Sequence, residues 1–172
     1  MTHGVGDQPA ATFHVPTHPG SSGTEVSRRM SAIARRDNDR ERALRSALHT
    51  RGLRYRVTYG VPGRPRRTID IAFTRVKVAV FLDGCFWHGC PEHGTRPRAN
   101  KGWWVDKLDA NCGRDADTTA HLEAIGWRVL RIWEHVPLEE AVLMVLGVLG
   151  ESRRESEPVR PTPSLEAGPA ER

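Results

Sequence analysis

Short apolar runs in the middle of the chain predict a β-sheet, whereas both ends of the chain lack them. The runs that are typical of strands are residues 53–59, 68–73, 76–82 and 127–133. Residues 76–82 are apolar almost without interruption, which favours a central strand buried on both faces. Thr74 and Arg75 form a tight connection before this strand, so the second and third strands are expected to form a hairpin.

Helical patterns occupy the spaces around these strands, over residues 24–36, 39–51, 102–125 and 138–149. Asn38 or Asp39 can cap the second of these helices, and Gly52 can end it. The third helix is long enough to connect two neighbouring strands of one sheet. The order of elements therefore predicts an α/β fold, with a mixed β-sheet flanked by helices.

The 172 residues are enough for one domain with a hydrophobic core, which we place at residues 24–150. Residues 1–23 are rich in Gly, Pro, Thr, Ser and His without an apolar period, and we expect them to be disordered. Residues 151–172 alternate in charge and carry four prolines from Pro158 onward. That composition predicts a second disordered tail, without a helix or a central strand.

The chain has a formal net charge of +5, and its arginines are concentrated. Ten of them lie between Arg28 and Arg56, against three carboxylates in the same segment. Because arginine pairs bidentately with phosphate, this segment is a candidate footprint for a nucleic-acid backbone; a solvated helix face is the alternative. The predicted loop between the first two strands adds a second basic group, Arg64, Arg66 and Arg67.

Three cysteines are an odd number and too few for a disulfide scaffold, which favours a reduced, cytoplasmic setting. The first 23 residues contain neither a basic nor an apolar targeting region, and no run of roughly 18 apolar residues occurs. We therefore expect neither secretion nor membrane insertion.

Metal-binding residue types are concentrated just after the third strand. The spacing Cys85-x4-Cys90-x2-His93 supplies three ligands of the kind that zinc prefers. His135 is the best candidate for the fourth ligand, because the end of the fourth strand could lie beside the end of the third. Such a site would join remote parts of the chain and be structural. The alternatives are a Cys85–Cys90 disulfide or unpaired buried thiols.

His88 lies among these residues and has two possible roles. If the four other side chains complete the zinc site, His88 stays free as a general acid or base with a pKa near neutrality. It could instead be the fourth zinc ligand.

Carboxylates on the predicted hairpin indicate a second metal site. Asp70 lies in the second strand and Asp83 at the end of the third, so the hairpin could bring them together. Carboxylates bind Mg²⁺ well, and Mg²⁺ can neutralise charge on a phosphodiester. We predict Asp70 as the essential ligand, with Asp83 as a second ligand or a group that orients water. A capping or surface role is the alternative for Asp70.

Aromatic side chains occur beside both candidate metal sites. Phe86 and Trp87 follow the third strand, and Trp103 and Trp104 begin the long helix. Flat rings next to a basic surface can stack on bases or enter between them. Core packing is the alternative, above all for one of the two adjacent tryptophans.

These motifs together resemble the very-short-patch repair (Vsr) family of DNA mismatch endonucleases. The residues that carry the resemblance are Gly84-Cys85-Phe86-Trp87-His88, then Trp104, Lys107 and Asn111, then Arg114-Asp115, residues 126–130, and Trp133-Glu134. The resemblance covers roughly residues 24–149.

The resemblance implies a restriction-endonuclease-like fold with a structural Zn²⁺. It also implies Mg²⁺-dependent nicking of double-stranded DNA, 5′ to the mispaired thymine of a T·G mismatch. Mismatch-repair proteins would be possible partners, the protein would act as a monomer, and it would associate with the nucleoid when bound to DNA.

Residue by residue, the resemblance assigns Asp70 to the family's metal-binding aspartate and His88 to its catalytic histidine. Glu41 corresponds to an acidic residue of the first helix, although a carboxylate in a first turn is also favoured by the helix dipole alone. Leu82 corresponds to the residue that offers its backbone carbonyl to Mg²⁺. Cys85 matches a zinc ligand, and the aromatics expected to enter the duplex are Phe86, Trp87 and Trp104.

The chain departs from the family pattern at three places. Residues 66–69 separate Pro65 from Asp70 and lengthen the active-site loop, and Asp83 stands where a second histidine is usual. His135 replaces a cysteine, so Cys90 and His93 as zinc ligands are inferred from spacing. We predict a T·G mismatch endonuclease. The alternatives are a nicking endonuclease for other modified or branched DNA linked to restriction, and a zinc-stabilised DNA-binding module without activity.

Overall fold

A mixed four-stranded β-sheet with helices on both sides forms the framework of the chain. The computed structural model describes residues 11–15, 17, 20, 28, 39–95, 97 and 99–156. Within that part, α1 spans residues 39–50 and precedes the strands. The remaining elements are β1 (Arg56–Gly60), β2 (Thr68–Phe73), β3 (Val78–Asp83), α2 (Lys101–Ala124), β4 (Arg128–Trp133) and α3 (Leu138–Ser156). The predicted α/β class is confirmed.

The strands are arranged in the order β1-β2-β3-β4. The pairs β1–β2 and β2–β3 are antiparallel, and β3–β4 is parallel, with α2 as the connection. In the parallel pair Asp83 lies opposite Trp133, and the Glu134 amide donates to the Asp83 carbonyl at 2.9 Å. The ends of the third and fourth strands are therefore adjacent, as predicted.

Two apolar clusters hold the helices to the sheet. In one cluster α1 and α3 pack on β2, β3 and β4 through residues such as Leu48, Val80 and Val145, which are fully buried. In the other, Leu122 of α2 and Trp127 pack with Ala79 and other residues of the sheet. Burial of apolar surface stabilises both layers, by about 25 cal/mol for each Å² removed from water.

The alternation of β2 breaks at Asp70. Ile69 belongs to the cluster beneath α2, whereas Ile71, two residues later, belongs to the cluster beneath α1 and α3. Thr58 would be the partner of Asp70 in β1, and it has φ = 48°, which is unusual for a β-branched residue. This local irregularity aims Asp70 out of the regular pleat, as bulges next to active sites do.

The limits of some elements differ from the sequence expectations. β1 begins at Arg56 rather than at residue 53. α3 continues to Ser156, so the prediction that no helix occurs from residue 151 onward is wrong for residues 151–156. The prolines begin only at Pro158 and cannot end the helix earlier. Residues 157–172 and most of the predicted first helix, residues 24–36, lie outside the described residues.

A short N-terminal stretch contacts α2, and the disorder expected over residues 1–23 stays a prediction. The half-buried Phe13 lies against Gly113 of α2. A Cβ at position 113 would be 2.4 Å from Phe13 Cε1, so only glycine leaves room for this ring. Within the described residues, no helix is long and apolar enough to cross a membrane.

Candidate functional site

A cavity of about 460 Å³ opens at the carboxyl ends of β3 and β4, where α2 passes over the sheet. Its walls include Asp70 from β2, Leu82 and Asp83 from β3, and His88 from the following turn. The antiparallel hairpin and the parallel crossover thus bring together residues that are distant in sequence. Space for a phosphate group and a cation is present beside these side chains.

Asp70 is attached to the main chain of the neighbouring strand. The Leu82 amide donates to Asp70 Oδ2 at 2.9 Å. Burial raises the pKa of Asp70 to about 6, and the negative charges of Glu41 and Asp83 add to this, against the lowering effects of the Leu82 amide and Arg131. A carboxyl group with a raised pKa gains most from a cation, which would favour its charged form.

Glu41 acts on this site from α1. Its carboxylate lies 3.5 Å from Arg45 one turn later, and both side chains are one-quarter exposed. The charge of Glu41 contributes to the raised pKa of Asp70, so the first helix brings a second acidic group toward the hairpin. Dipole compensation alone does not account for that proximity.

His88 forms a short hydrogen bond to α2. Its Nδ1 donates to Asp115 Oδ2 at 2.5 Å. Burial by itself would lower the pKa of His88, but the hydrogen bond to Asp115 and the charges of Asp83 and Asp115 outweigh burial, so the pKa is raised. The same pairing lowers the pKa of Asp115, where it outweighs the opposite effect of burial.

Asp83 is occupied by a partner that the sequence interpretation overlooked. Arg131 of β4 donates from Nε to Asp83 Oδ2 and from Nη2 to Asp83 Oδ1, both at 2.6 Å. Asp83 is only 3% exposed, so this bidentate pair compensates the burial of its charge. Both oxygens of Asp83 accept hydrogen bonds from Arg131. The suggested roles of Asp83 as a metal ligand or a group that orients water stay predictions.

Asp115 and Arg131 were the residues that sequence reasoning missed as parts of the site. Asp115 contributed only to a family motif, and no local signal connects it to His88. The available signal for Arg131 was its position between Leu130 and Ile132 in a predicted strand, because a charge between two apolar residues there needs a partner.

A second group of ligand atoms lies beyond the strand ends. One atom each from Cys85, Cys90, His93 and His135 lies within 4.8 Å of all the others. His135 Nδ1 is 3.2 Å from Cys85 Sγ and 3.6 Å from Cys90 Sγ. Tetrahedral Zn–S and Zn–N bonds give ligand separations of about 3.3–3.8 Å, so this group fits such an ion.

The surroundings of this group also suit a cation. Burial and the hydrogen bond with Cys90 raise the pKa of the Cys85 thiol to about 12, so a cation would have to displace its proton. The other ring nitrogen of His135 lies 3.7 Å from Glu92. Both Cys85 and Cys90 are free cysteines in the structure. His88 stands outside the group, in a second acidic set with Asp83 and Asp115.

Aromatic rings form a cluster at the edge of the cavity. The Phe86 and Trp104 centroids are 5.2 Å apart in an edge-to-face arrangement, and Trp87, which also lines the cavity, lies 4.9 Å from Phe86. Trp103 contacts Trp104 at 4.8 Å. Phe86 is buried, whereas the three tryptophans are half-buried and retain exposed surface.

The three arginines of the β1–β2 loop are not equivalent. Arg64 is 6% exposed, and Arg67 donates to Asp117 Oδ2 at 2.5 Å and to Thr118 Oγ1 at 2.9 Å. Arg64 Nε also lies 3.9 Å from Asp117 Oδ2, so both side chains hold the loop to α2. The DNA contacts of Arg64 and Arg67 stay predictions. Arg66 is exposed, on a backbone with φ = 76°.

Comparison with known proteins places this chain in one family. Residues 23–93 match the model of the family described as DNA mismatch endonuclease Vsr. The type II nicking enzyme V.NaeI of Lentzea aerocolonigenes is 45% identical over 139 residues, which cover 77% of this chain and 81% of the relative.

Two further relatives are similar over a shorter region. The type II nicking enzyme V.XorIIP of Xanthomonas oryzae is 37% identical over 110 residues, 61% of this chain and 76% of the relative. The DNA mismatch endonuclease Vsr of Escherichia coli is 36% identical over 110 residues, 63% of this chain and 68% of the relative. The chain therefore belongs to the Vsr family of DNA mismatch endonucleases.

Proposed function

We propose that this protein is a Mg²⁺-dependent endonuclease that nicks one strand of duplex DNA, 5′ to the mispaired thymine of a T·G mismatch. The observation that carries the proposal is the position of Asp70. Its carboxylate is hydrogen-bonded to the Leu82 amide at 2.9 Å and lines the same cavity as His88. A metal-binding carboxylate and a proton acceptor in one cavity are the minimum for hydrolysis of a phosphodiester.

His88 is the general base in this proposal. Its Nδ1 donates to Asp115, so the ring must carry that hydrogen and offer its other nitrogen, Nε2, as the acceptor. Water loses a proton to Nε2 while its oxygen forms a bond to phosphorus. One phosphorus–oxygen bond of the strand breaks, and the leaving oxygen takes a proton from solvent water. Asp115 orients the imidazole and stabilises its charged form after the transfer.

Asp70 and the Leu82 carbonyl are the proposed ligands of Mg²⁺. Both offer oxygen, the donor that this ion prefers, and the raised pKa of Asp70 shows that its negative charge lacks full compensation within the protein. When bound there, Mg²⁺ would neutralise charge that develops on the phosphate. Glu41 supplies further negative charge near Asp70.

Zn²⁺ is the proposed ion for the Cys85, Cys90, His93 and His135 group. Two thiols and two imidazoles are the donor set of structural zinc sites, and four protein ligands leave no open position for catalysis. The ion would join the turn after β3 to the segment after β4. That connection supports the turn on which Phe86, Trp87 and His88 are carried.

The substrate rests on family membership and on the aromatic cluster. The family and one relative carry the words DNA mismatch endonuclease in their names. Trp87 lines the cavity and the Trp104 ring lies 6.0 Å from it, and partly exposed rings at this place could enter a duplex weakened by a mispair. A second candidate is nicking of another DNA structure in connection with restriction, because two of the relatives are named type II nicking enzymes.

A nicking assay separates these possibilities. End-labelled duplexes of one sequence would carry T·G, T·A, C·G or a methylated C·G pair at the centre, with and without Mg²⁺. We expect strand-specific nicking of the T·G duplex only with Mg²⁺, and loss of nicking in Asp70→Ala and His88→Ala. The matched control is Asp109→Ala, an exposed position on α2.

Each other outcome has a defined meaning. Faster nicking of another duplex would replace the T·G substrate by the second candidate. Binding without nicking of any duplex would leave a zinc-stabilised DNA-binding module. Nicking by Asp70→Ala or His88→Ala at the wild-type rate would remove the proposed site.

A further inference from the structure

One guanidinium joins the three elements that surround His88. Arg131 on β4 donates to both oxygens of Asp83 at the end of β3, each at 2.6 Å. Its Nη2 also lies 3.1 Å from Asp115 Oδ1 on α2. Arg131 therefore touches two carboxylates that come from different elements, and both carboxylates face the same imidazole.

His88 Nδ1 has two acidic neighbours but only one hydrogen to donate. Asp115 Oδ2 lies 2.5 Å from this nitrogen, and Asp83 Oδ1 lies 3.7 Å from it. A separation of 3.7 Å is too long for a hydrogen bond, so Asp115 is the partner. A small rotation of Asp83 would nevertheless bring a second charged acceptor within reach of the same hydrogen.

Arg131 restricts that rotation. A bidentate pair fixes the plane of the carboxylate as well as its distance, because the guanidinium is a rigid fork. The guanidinium also lies over an aromatic ring, with Arg131 Cζ 4.8 Å from the Phe81 ring centroid. Lysine would keep the charge but would lose this geometry.

We propose that Arg131 is a positioning residue, which holds Asp83 away from His88 and so keeps Asp115 as the acceptor for His88 Nδ1. The inference rests on the proposed function, because the orientation of His88 matters for hydrolysis only if its other nitrogen accepts the proton from water. In this arrangement Asp83 acts through Arg131 and need not bind a metal.

The first test is Arg131→Lys in the zinc-loaded full-length protein. We expect kcat for the T·G duplex to fall about 10- to 100-fold, while KM for the duplex and the zinc content stay unchanged. Addition of Asp83→Asn should then recover part of kcat, since the competing charged acceptor is gone. The matched control is Arg128→Lys, on the same strand but paired with Glu151 outside the cavity. It should nick like the wild type.

The second test does not depend on nicking. A proton on Nδ1 held by a carboxylate gives a downfield NMR resonance protected from exchange, which can be assigned by its absence in His88→Gln. We expect this resonance in the wild type, its loss or displacement in Arg131→Lys, and its return in the double variant. If the wild type nicks none of the duplexes, the proposed function fails while this comparison still decides the role of Arg131.

Three results would overturn the role of Arg131. The first is that the resonance and kcat are unchanged in Arg131→Lys. The second is that the added Asp83→Asn raises kcat no further and does not restore the resonance. The third is an effect on KM alone, which would mean that Arg131 contacts DNA directly. If Arg131→Lys does not fold, Asp83→Asn combined with Arg131→Gln removes both buried charges. Retention of the resonance in that variant supports the proposal, and its loss contradicts it.

Discussion

The Leu82 amide donates to Asp70 Oδ2 at 2.9 Å, so the main chain of one strand holds the carboxylate of its neighbour. Val80 pairs with Ile71 in the regular part of the two strands. The hydrogen bond from Leu82 to Asp70 continues the contact between these strands beyond that part. Because β3 leads directly into the turn that carries His88, the anchor of Asp70 and the position of the imidazole depend on one strand. The site is therefore built on sheet geometry rather than on a mobile loop.

Asp70→Asn is expected to stabilise the Mg²⁺-free protein at neutral pH. The pKa of Asp70 is raised to about 6, mainly by burial, so its contribution to stability is fully present below the unfolded pKa near 4 and is lost as pH rises through 6. At pH 7.5 the ionised carboxylate thus costs about 1–3 kcal/mol, and asparagine can still accept from the Leu82 amide.

Calorimetry in Mg²⁺-free buffer measures this effect. Tm of Asp70→Asn should exceed the wild-type Tm at pH 7.5, and the two should converge near pH 4. Added Mg²⁺ should raise the wild-type Tm alone. A lower Tm for Asp70→Asn at pH 7.5, with Asp106→Asn on the exposed side of α2 as the control, would contradict the raised pKa.

Loss of the proposed zinc ligand Cys85 is expected to destabilise the fold far more than loss of Cys112, which is not a ligand. Cys85→Ser should reduce bound zinc from one ion to less than a tenth, and should lower the free energy of unfolding by several kcal/mol, on the order of the folding energy that structural zinc supplies. Cys112 is exposed on α2 and stands outside the ligand group, so Cys112→Ser should keep the ion and the Tm. Native mass spectrometry and thermal unfolding report both quantities. Equal zinc content in the two variants would remove the assignment.

Local patterning was sufficient where an element is defined by its own residues. The apolar run of residues 68–73 predicted β2 with its observed limits, and Gly52, with φ = 78°, follows α1 as expected. The adjacency of Cys85 and His135 also followed from sequence order, because a helical crossover implies parallel strands whose ends meet.

Charge pairing between distant elements was beyond local patterning. Asp117 follows Arg67 by 50 residues, and the bond to its carboxylate holds the β1–β2 loop against α2. Arg131 and Asp83 meet only because of the register between β3 and β4. The sequence contains all of these residues but no period or spacing that connects them, so the composition of the site was predictable and its internal bonds were not.

Arg66 and Arg67 should respond differently to replacement by alanine. Arg66 is exposed, so Arg66→Ala should weaken DNA binding and reduce the slope of log K against log salt by about one phosphate contact, with the fold unchanged. Arg67→Ala removes the bonds to Asp117 and Thr118 and should lower the free energy of unfolding by about 1–3 kcal/mol. Fluorescence anisotropy over a salt series and urea unfolding separate the two effects. If Arg67→Ala weakened DNA binding and Arg66→Ala lowered the stability instead, the result would show that the loop leaves α2 when DNA binds.

Trp104 and Trp127 form a second contrasting pair. Trp127 is 7% exposed and stacks on Tyr59, so Trp127→Ala should cost about 3–5 kcal/mol of unfolding free energy. Trp104 retains exposed surface beside Trp87, so Trp104→Ala should reduce nicking of the mismatched duplex with a smaller loss of stability. Single-turnover nicking and urea unfolding of both variants provide the comparison. A Trp104 variant that nicks normally would assign its ring to packing alone.

Asp115→Asn is expected to move the pH dependence of nicking. His88 must be neutral to accept a proton, and its pKa is raised because the hydrogen bond and charge of Asp115, together with Asp83, outweigh burial. The wild-type rate should therefore increase with pH as His88 loses its proton. Removal of the Asp115 charge lowers the pKa of His88, so the rising limb of the plot of rate against pH should shift to lower pH. The maximal rate should also fall about 10- to 100-fold, because the imidazole is less firmly oriented. Single-turnover rates between pH 5 and 9 test both changes, with Asp109→Asn as the surface control. A limb that stays in place would mean that the titrating group is not His88, and that another residue of the cavity takes the proton from water.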